Sequence, residues 1–280
     1  MGVSEKLELL GKGLYKDIPN VITLKSIPTA SELDYVGAED FEKTMLDKIF
    51  PVAIEEDFDY YKLLEIDFHW ICRALRLLNY GPYITTNAIF CAHCGQISRG
   101  EYRVDLRTVP VEVLPEKFVN NIVIPKETFM DFDKDIVMHL PTIKEMLNAR
   151  DDNYFKYENG ESNLRLARKC YMVSSIGDHK NITPVEVKPI LQNGLSPADY
   201  ILFNDAANKL IDYGVRGGGT TRCPKCQSDE AAFLVAIDDK FFRPTLGDLY
   251  AWRDDRRNGK WEESDKDLSA NKARSIQQNS

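Results

Sequence analysis

CAHCG at residues 91–95 and CPKC at residues 223–226 are the two segments that most constrain how this chain can fold. We call them the first and second Cys-x-x-Cys turns. Such a turn places two thiolates on one side of a tight loop, at the spacing that a tetrahedral metal ion requires. Thiolates are soft ligands and zinc imposes little geometry of its own, which favours zinc as the ion. The predicted ligands of one shared ion are Cys91, Cys94, Cys223 and Cys226.

Residues 95–222 separate the two turns, a spacing far longer than that of an ordinary zinc ribbon. The intervening segment is therefore expected to form an inserted subdomain. Because four thiolates leave no open coordination position, the predicted site is structural rather than catalytic. Three alternatives stay open: reduced cysteines without metal, a redox-active pair, and a site in which His93 replaces one cysteine.

The composition sets limits on the class of protein. The chain has 280 residues, of which 43% are hydrophobic and 29% charged, and its formal net charge is -8. Enough apolar residues are present for a sizeable core. The acidic balance argues against a primary nucleic-acid binder and against binding to an anionic membrane surface. No apolar run approaches the length of a membrane span.

The N-terminal sequence MGVSEKLELLGKG has no apolar core of a secretion signal. Paired cysteines in a protein without such a signal indicate metal ligands rather than disulfides, in a soluble protein of a reducing cytosol. Cys72 and Cys170, which stand alone in apolar helical patterns, are expected to be buried core thiols.

The clearest predicted helix covers Asp67 to Asn79, with Asp67 as its N-cap and Gly81 just beyond its end. Its apolar positions recur at helical spacing, whereas Arg73 and Arg76 fall off that stripe and are expected on the surface. A strand from Tyr83 to Phe90 should follow, with a second from Glu101 to Leu106 returning from the first Cys-x-x-Cys turn. This pattern predicts a β-hairpin with two cysteines at its tip.

Other elements follow from similar patterns. Helices are expected over residues 39–50, ended by Pro51, over 164–176, and over 246–253. Residues 214–219, rich in glycine, are expected to be a flexible break before the second turn. The predicted fold class is α+β: helical segments with small antiparallel hairpins that carry the two Cys-x-x-Cys turns and join at one zinc site.

Four regions follow from this reading of the chain. They are a helical region with the first turn (1–108), an inserted strand–helix region (109–214), the second turn with a closing helix (215–253), and a polar, loosely held tail (254–280).

No catalytic constellation is recognisable. His69, His139 and His179 do not form a His-Glu-x-x-His arrangement, and residues 217–219 lack the Lys-Ser/Thr of a phosphate loop. The His-x-Glu pair that zinc deaminases require is also missing from the sequence. The sequence therefore predicts a protein that is not an enzyme.

The order of motifs resembles the baseplate-hub protein family of T-even-type contractile-tailed bacteriophages. That family shows a helix ending in Arg-x-x-x-Tyr-Gly, a strand, a Cys-x-x-Cys-Gly turn and a Val-Asp-Leu strand. The matching residues here are Arg76, Tyr80, Gly81, Cys91, Cys94, Gly95, Val104, Asp105 and Leu106. In the second half, Asp212-Tyr213-Gly214, the second turn and Phe241-Phe242 extend the resemblance over most of 14–245.

Two departures from the family pattern stand out. Gln227 occupies the place of the usual glycine after the second turn, and Lys12-Gly13-Leu14-Tyr15 stands where the family has a Leu-Pro-Ser-x-Gly opening. The resemblance implies a non-enzymatic structural or assembly component of a contractile tail. Its partners would be other baseplate or hub proteins, and its place the tail baseplate of the virion, assembled in the host cytoplasm.

Two other functions remain open at this point. A zinc-ribbon-like adaptor could bind a host protein complex or nucleic acid, although the acidic charge counts against the nucleic-acid version. A cysteine or metal enzyme would need an activated thiol or an open coordination position, and the sequence shows neither.

Overall fold

The computed structural model describes residues 4–35, 38–157 and 159–258. Helices and antiparallel sheets are mixed along the chain, so the predicted α+β class is confirmed. The helices are α1 (Thr29–Tyr35), α2 (Phe41–Thr44), α3 (Phe50–Ala53), α4 (Glu65–Tyr80), α5 (Ile143–Asp151), α6 (Leu164–Met172), α7 (Pro184–Pro189), α8 (Pro197–Ile211) and α9 (Leu246–Arg257). The strands are β1 (Ser4–Glu8), β2 (Val21–Lys25), β3 (Tyr83–Cys91), β4 (Ile97–Asp105), β5 (Val111–Glu112), β6 (Ile122–Ile124), β7 (Ile136–Met138), β8 (Val173–Ile176), β9 (His179–Lys180), β10 (Gly214–Val215), β11 (Gly218–Thr221) and β12 (Ala231–Leu234).

A four-stranded antiparallel sheet carries both Cys-x-x-Cys turns. Its strand order is β11-β12-β3-β4, so two sequential hairpins lie side by side. The hairpins are joined by pairing of β12 with β3, in which Ala231 lies opposite Cys91. This pairing brings together segments that are far apart in the sequence.

The expected flexible break at residues 214–219 is wrong, because Gly218 begins strand β11. A Cβ atom at Gly218 would lie 2.1 Å from the carbonyl oxygen of Phe233 on the neighbouring strand. Glycine is therefore needed here for close approach of two backbones rather than for flexibility.

The buried side chains of the described residues form two hydrophobic clusters. The first includes the inner face of the four-stranded sheet, represented by Ile89 and Phe233, together with Phe68 and Leu75 of α4. The second surrounds strands β6, β7 and β8 and helices α5 to α8. Ile66 near the start of α4 belongs to the second cluster, so this helix contributes to both.

The helix expected over 164–176 ends at Met172, and Val173–Ile176 forms strand β8 instead. This strand pairs with β7, where Ile136 lies opposite Ile176. Strand propensity depends strongly on such neighbours, and here the partner strand outweighs the local helical pattern.

Pro51 does not end the helical run that begins at Phe41. A π-helical segment, Met45–Ile49, follows α2, and α3 continues to Ala53 with Pro51 in its first turn. The N–H group of Phe50 bonds to the carbonyl of Met45, five residues back. Proline is tolerated in the first turn of a helix because an N–H group there would have no partner within the helix. The wider π-helical turn before Pro51 lets the chain continue in a helical course.

Helix α9 extends to Arg257, beyond the expected end at residue 253. The rest of the predicted polar tail, from residue 259, lies outside the described residues.

Asp67 is not the N-cap of α4, because the helix already begins at Glu65. Its side chain is fully buried and accepts hydrogen bonds from the N–H groups of Leu10 (2.6 Å) and Gly11 (3.0 Å). The hydroxyl of Tyr15 also donates to this carboxyl. Asp67 thus ties the N-terminal segment to α4, and its burial raises the pKa of this carboxyl to about 6.

The raised pKa of Asp67 predicts a pH dependence of stability. The folded-state value of about 6 exceeds the ordinary 3.8, so the folded protein binds this proton more tightly than the unfolded chain does. The resulting stabilisation is complete below about pH 4 and is lost as the pH rises through about 6. From pH 4 to pH 7, we expect this group to lower the free energy of unfolding by roughly 2–3 kcal/mol.

Urea denaturation of the wild type and Asp67→Asn at both pH values measures this contribution. The loss in the free energy of unfolding from pH 4 to pH 7 should be smaller in Asp67→Asn than in the wild type, by the contribution given above. Asp205→Asn, which changes an exposed ion pair with Lys209, should lose as much as the wild type. An equal change in the free energy of unfolding between pH 4 and pH 7 for the wild type and Asp67→Asn would show that Asp67 does not titrate in this range.

Arg73 and Arg76 are buried, contrary to the expectation that both lie on the surface. The guanidinium of Arg76 donates to the carbonyl oxygens of Gly81 (2.7 Å), Tyr83 (2.6 Å) and Phe241 (2.7 Å). It therefore joins the end of α4, the start of β3 and the closing segment of the fold. Within the described part of the chain, Arg73 makes one hydrogen bond, to the carbonyl oxygen of Leu106 at 3.1 Å.

Candidate metal centre

The first Cys-x-x-Cys turn connects β3 to β4. The N–H of Cys91 bonds to the carbonyl of Gln96 (2.9 Å), and the N–H of Gly95 bonds back to the carbonyl of Cys91 (2.8 Å). Gly95 has a φ of 67°, in the left-handed region that favours glycine. These bonds close the loop tightly and place both cysteine side chains at the tip of the hairpin.

The second Cys-x-x-Cys turn repeats these contacts between β11 and β12. The N–H of Cys223 bonds to the carbonyl of Ser228 (2.7 Å), and the N–H of Gln227 bonds back to the carbonyl of Cys223 (3.0 Å). Gln227 has a φ of 62°, so it adopts the conformation that Gly95 has in the first turn. The two turns therefore share one backbone geometry, although only one of them has the usual glycine.

The left-handed conformation of Gly95 predicts the effect of a side chain there. A Cβ atom at Gly95 would meet nothing within 4 Å, so Gly95→Ala tests the backbone conformation alone. We expect it to lower the free energy of unfolding by about 1 kcal/mol, since a non-glycine residue is strained in this region. Gly217→Ala is the matched control, because that site is equally open and its φ is outside this region.

Urea denaturation of both variants compares their stabilities. Gly217→Ala should be close to the wild type. Equal destabilisation by the two substitutions would contradict the role of the Gly95 conformation.

The four cysteines of the two turns lie together, and we call them the four-cysteine cluster. Their sulfur atoms all lie within 4.8 Å of one another. Two of these distances cross between the turns: 3.6 Å from Cys91 Sγ to Cys226 Sγ, and 3.9 Å from Cys94 Sγ to Cys223 Sγ.

A tetrahedral zinc ion with Zn–S bonds of about 2.3 Å would hold its sulfur ligands about 3.8 Å apart. The observed sulfur positions are thus compatible with a metal site. Cys91 and Cys223 are buried, while Cys94 and Cys226 are half-buried.

The environment of Cys223 favours its thiolate form. Backbone N–H groups of Cys226 and Lys225 donate to the sulfur of Cys223 and lower the pKa of its thiol, whereas burial and the neighbouring cysteine sulfurs raise the pKa of the Cys226 thiol. Since the thiolate is the form that binds a metal ion, the backbone hydrogen bonds to Cys223 favour binding of a cation at this sulfur.

The remaining candidate residues lie elsewhere. His93 is exposed in the first turn, and the metal-ligating group found among the described residues consists of the four cysteines without it. Cys72 and Cys170 are buried as expected, and burial raises the pKa of the Cys170 thiol to about 12. His139 Nε2 lies 3.0 Å from Glu145 Oε1, near the start of α5.

No known protein family, curated protein or solved structure matches this chain. The resemblance to the baseplate-hub family therefore rests on the motif residues quoted above. Within the described ranges, no helix is both long enough and apolar enough to cross a membrane.

Proposed function

We propose that this protein is a non-enzymatic structural or assembly component of a contractile phage tail baseplate or hub, in which the four-cysteine cluster binds one structural zinc ion. The observation that carries this proposal is the arrangement of the cluster. Four thiols from two distant segments converge at the joined tips of two paired hairpins. An ion held by all four would have no open position for a substrate, which suits a clasp rather than a catalyst.

The residues that carry the resemblance to the baseplate-hub family make structural contacts, which supports a scaffold role for the protein. Arg76 bonds to Gly81 and Tyr83, which flank the turn out of α4, and to Phe241 in the second half of the chain. The ring of Tyr80 lies near Phe242, with 6.5 Å between ring centroids. Motif residues from both halves thus make one connected structural unit at the end of α4.

The outer face of the four-stranded sheet supports protein–protein contact. Phe90 lies opposite both Ile97 and Ala232 in neighbouring strands. Ile97 is 63% exposed and Leu234, on the same face of β12 as Ala232, is 82% exposed. Exposed apolar groups collected on one face are typical of surfaces that bind other proteins.

Disruption of the gene in the phage genome that carries it tests this proposal. Electron microscopy of the particles should show heads without complete contractile tails. Complementation with the wild type or with His93→Ser, in the first turn but outside the cluster, should restore tails, and Cys223→Ser should not.

Complete tails with normal baseplates in the absence of the protein would contradict the proposal. Salt-dependent binding of the purified protein to DNA would instead favour the alternative of a nucleic-acid adaptor.

A further inference from the structure

A cleft of about 430 Å³ lies beside helices α4, α5, α6 and α8, apart from the four-cysteine cluster. One part of its wall is apolar, formed by Ile143, Met146, Leu147, Leu164 and Ile211. Another part carries the cationic side chains of Arg150, Arg165, Arg168 and Lys169. Clefts with an apolar lining and a few converging polar groups are the usual form of ligand sites.

The two acidic residues of the cleft are already paired. Glu42 accepts from Arg150 at 3.0 Å, and Glu65 pairs with Arg168. Within the described ranges, neither Arg165 nor Lys169 has a carboxylate partner. The cleft therefore has an excess of positive charge, although the whole chain is acidic.

Lys169 is the unusual member of this group, since its side chain is only 1% exposed. Its ammonium donates to the side-chain oxygen of Asn204 and lies 5.9 Å from the centroid of the Tyr200 ring. A buried ammonium without a counter-charge is costly, and burial together with the nearby Arg165 lowers the pKa of Lys169. An anion in the cleft would remove this cost.

Arg168, which also lines the cleft, has a buried donor that lacks an acceptor. The Nε atom of Arg168 is buried and has no hydrogen-bond partner among the described residues. Arg168 and Lys169 are consecutive in α6, and both line this cleft. A buried cationic donor without an acceptor and a buried ammonium without a counter-charge, both in this cleft wall, indicate that a negatively charged acceptor is missing.

We propose that this cleft binds a carboxylate of an acidic, apolar polypeptide segment, with the Lys169 ammonium as its partner. The apolar wall contacts the hydrocarbon part of such a segment, and the carboxylate supplies the missing counter-charge. A multiply charged inorganic anion fits this site less well, because the apolar wall would desolvate it without replacing its hydration. The inference concerns a site separate from the metal centre and does not depend on it.

N-acetyl-leucine is the probe for this site, because it combines one carboxylate with one branched apolar side chain. The intact protein is labelled with ¹³C at its methionine methyl groups, and the signal of Met146 in the cleft wall reports occupancy. N-acetyl-leucinamide, which lacks the charge, is the matched neutral probe, and inorganic phosphate tests a purely anionic ligand. The variants are Lys169→Gln and, as control, Lys209→Gln at the exposed ion pair with Asp205.

We expect N-acetyl-leucine to shift the Met146 signal saturably, with a Kd in the millimolar range for so small a probe. The neutral amide and Lys169→Gln should each weaken binding about tenfold or more, and Lys209→Gln should leave it unchanged. If Lys169→Gln fails to fold, the comparison of the two probes on the wild type decides.

Equal affinity for the acid and the amide would overturn the proposal. The same holds for an unchanged Kd in Lys169→Gln, for tighter binding of phosphate, and for the absence of a saturable shift.

Discussion

Replacing Cys223 by serine is expected to abolish metal binding and to unfold the hairpin formed by β11 and β12. Cys223 is fully buried, and its sulfur lies 3.9 Å from that of Cys94 on the neighbouring hairpin. A serine hydroxyl has nearly the same size but is a poor zinc ligand, so the substitution removes one bond from the predicted centre without creating a large cavity. The binding energy of a structural metal ion contributes directly to folding.

The expected loss in the free energy of unfolding exceeds about 4 kcal/mol, in the range reserved for severe lesions such as loss of a metal. Urea denaturation and the zinc content of the purified variant measure the two effects. Cys170→Ala is the matched control, because it removes a buried thiol outside the cluster. It should keep the metal and cost about 1 kcal/mol. The proposed centre would be contradicted if Cys223→Ser kept its metal and were no less stable than Cys170→Ala.

Replacing Arg76 by methionine should have the second large effect. Three carbonyl groups from separate parts of the fold would lose their charged donor. Hydrogen bonds to a charged group contribute about 1.5–3 kcal/mol each, but methionine also removes the cost of burying the guanidinium charge, so we expect a net loss of about 3–5 kcal/mol in the free energy of unfolding.

Arg73→Met is a stringent control for this prediction. Arg73 lies on the same helix and is also buried, but it makes one hydrogen bond, and its Nε and Nη1 atoms have no partner among the described residues. Burial lowers the pKa of Arg73 to about 10, a sign that its charge is poorly compensated. Methionine fills much of the same space, so Arg73→Met should cost less than about 1 kcal/mol.

Urea denaturation gives the free energy of unfolding of both variants. The difference between Arg76→Met and Arg73→Met separates the contribution of the hydrogen bonds from the effect of burying an arginine. Equal losses for the two variants would contradict the account of Arg76 as the group that joins the end of α4 to the closing segment.

Local patterns predicted several elements well. The hairpin of β3 and β4 follows from extended segments on either side of a Cys-x-x-Cys turn, and the end of α4 follows from Gly81, whose φ is 73°. In these places the residues that determine the structure are close together in the sequence. The convergence of the four cysteines was also predictable, because two such turns are common partners around one metal ion.

Long-range contacts explain where the predictions were wrong. Asp67 has the local features of an N-cap, but its partners include Leu10, 57 residues away. Arg76 lies off the apolar stripe of its helix, and it is buried because Phe241 supplies an acceptor from the other end of the chain. Residues 214–219 look like a flexible break, but Gly214 and Val215 pair with β5, and Gly218 and Gly219 pair with β12. None of these partners is visible in a local window of sequence.

X-ray absorption at the zinc edge of the purified wild-type protein, together with elemental analysis, tests the metal centre most directly. We predict one zinc ion per chain with four sulfur ligands at about 2.3 Å and no nitrogen or oxygen ligand. A protein that is folded without bound metal and whose four cluster thiols react freely would contradict this account. So would a centre with an oxygen or nitrogen ligand, because its coordination would no longer be closed by cysteine.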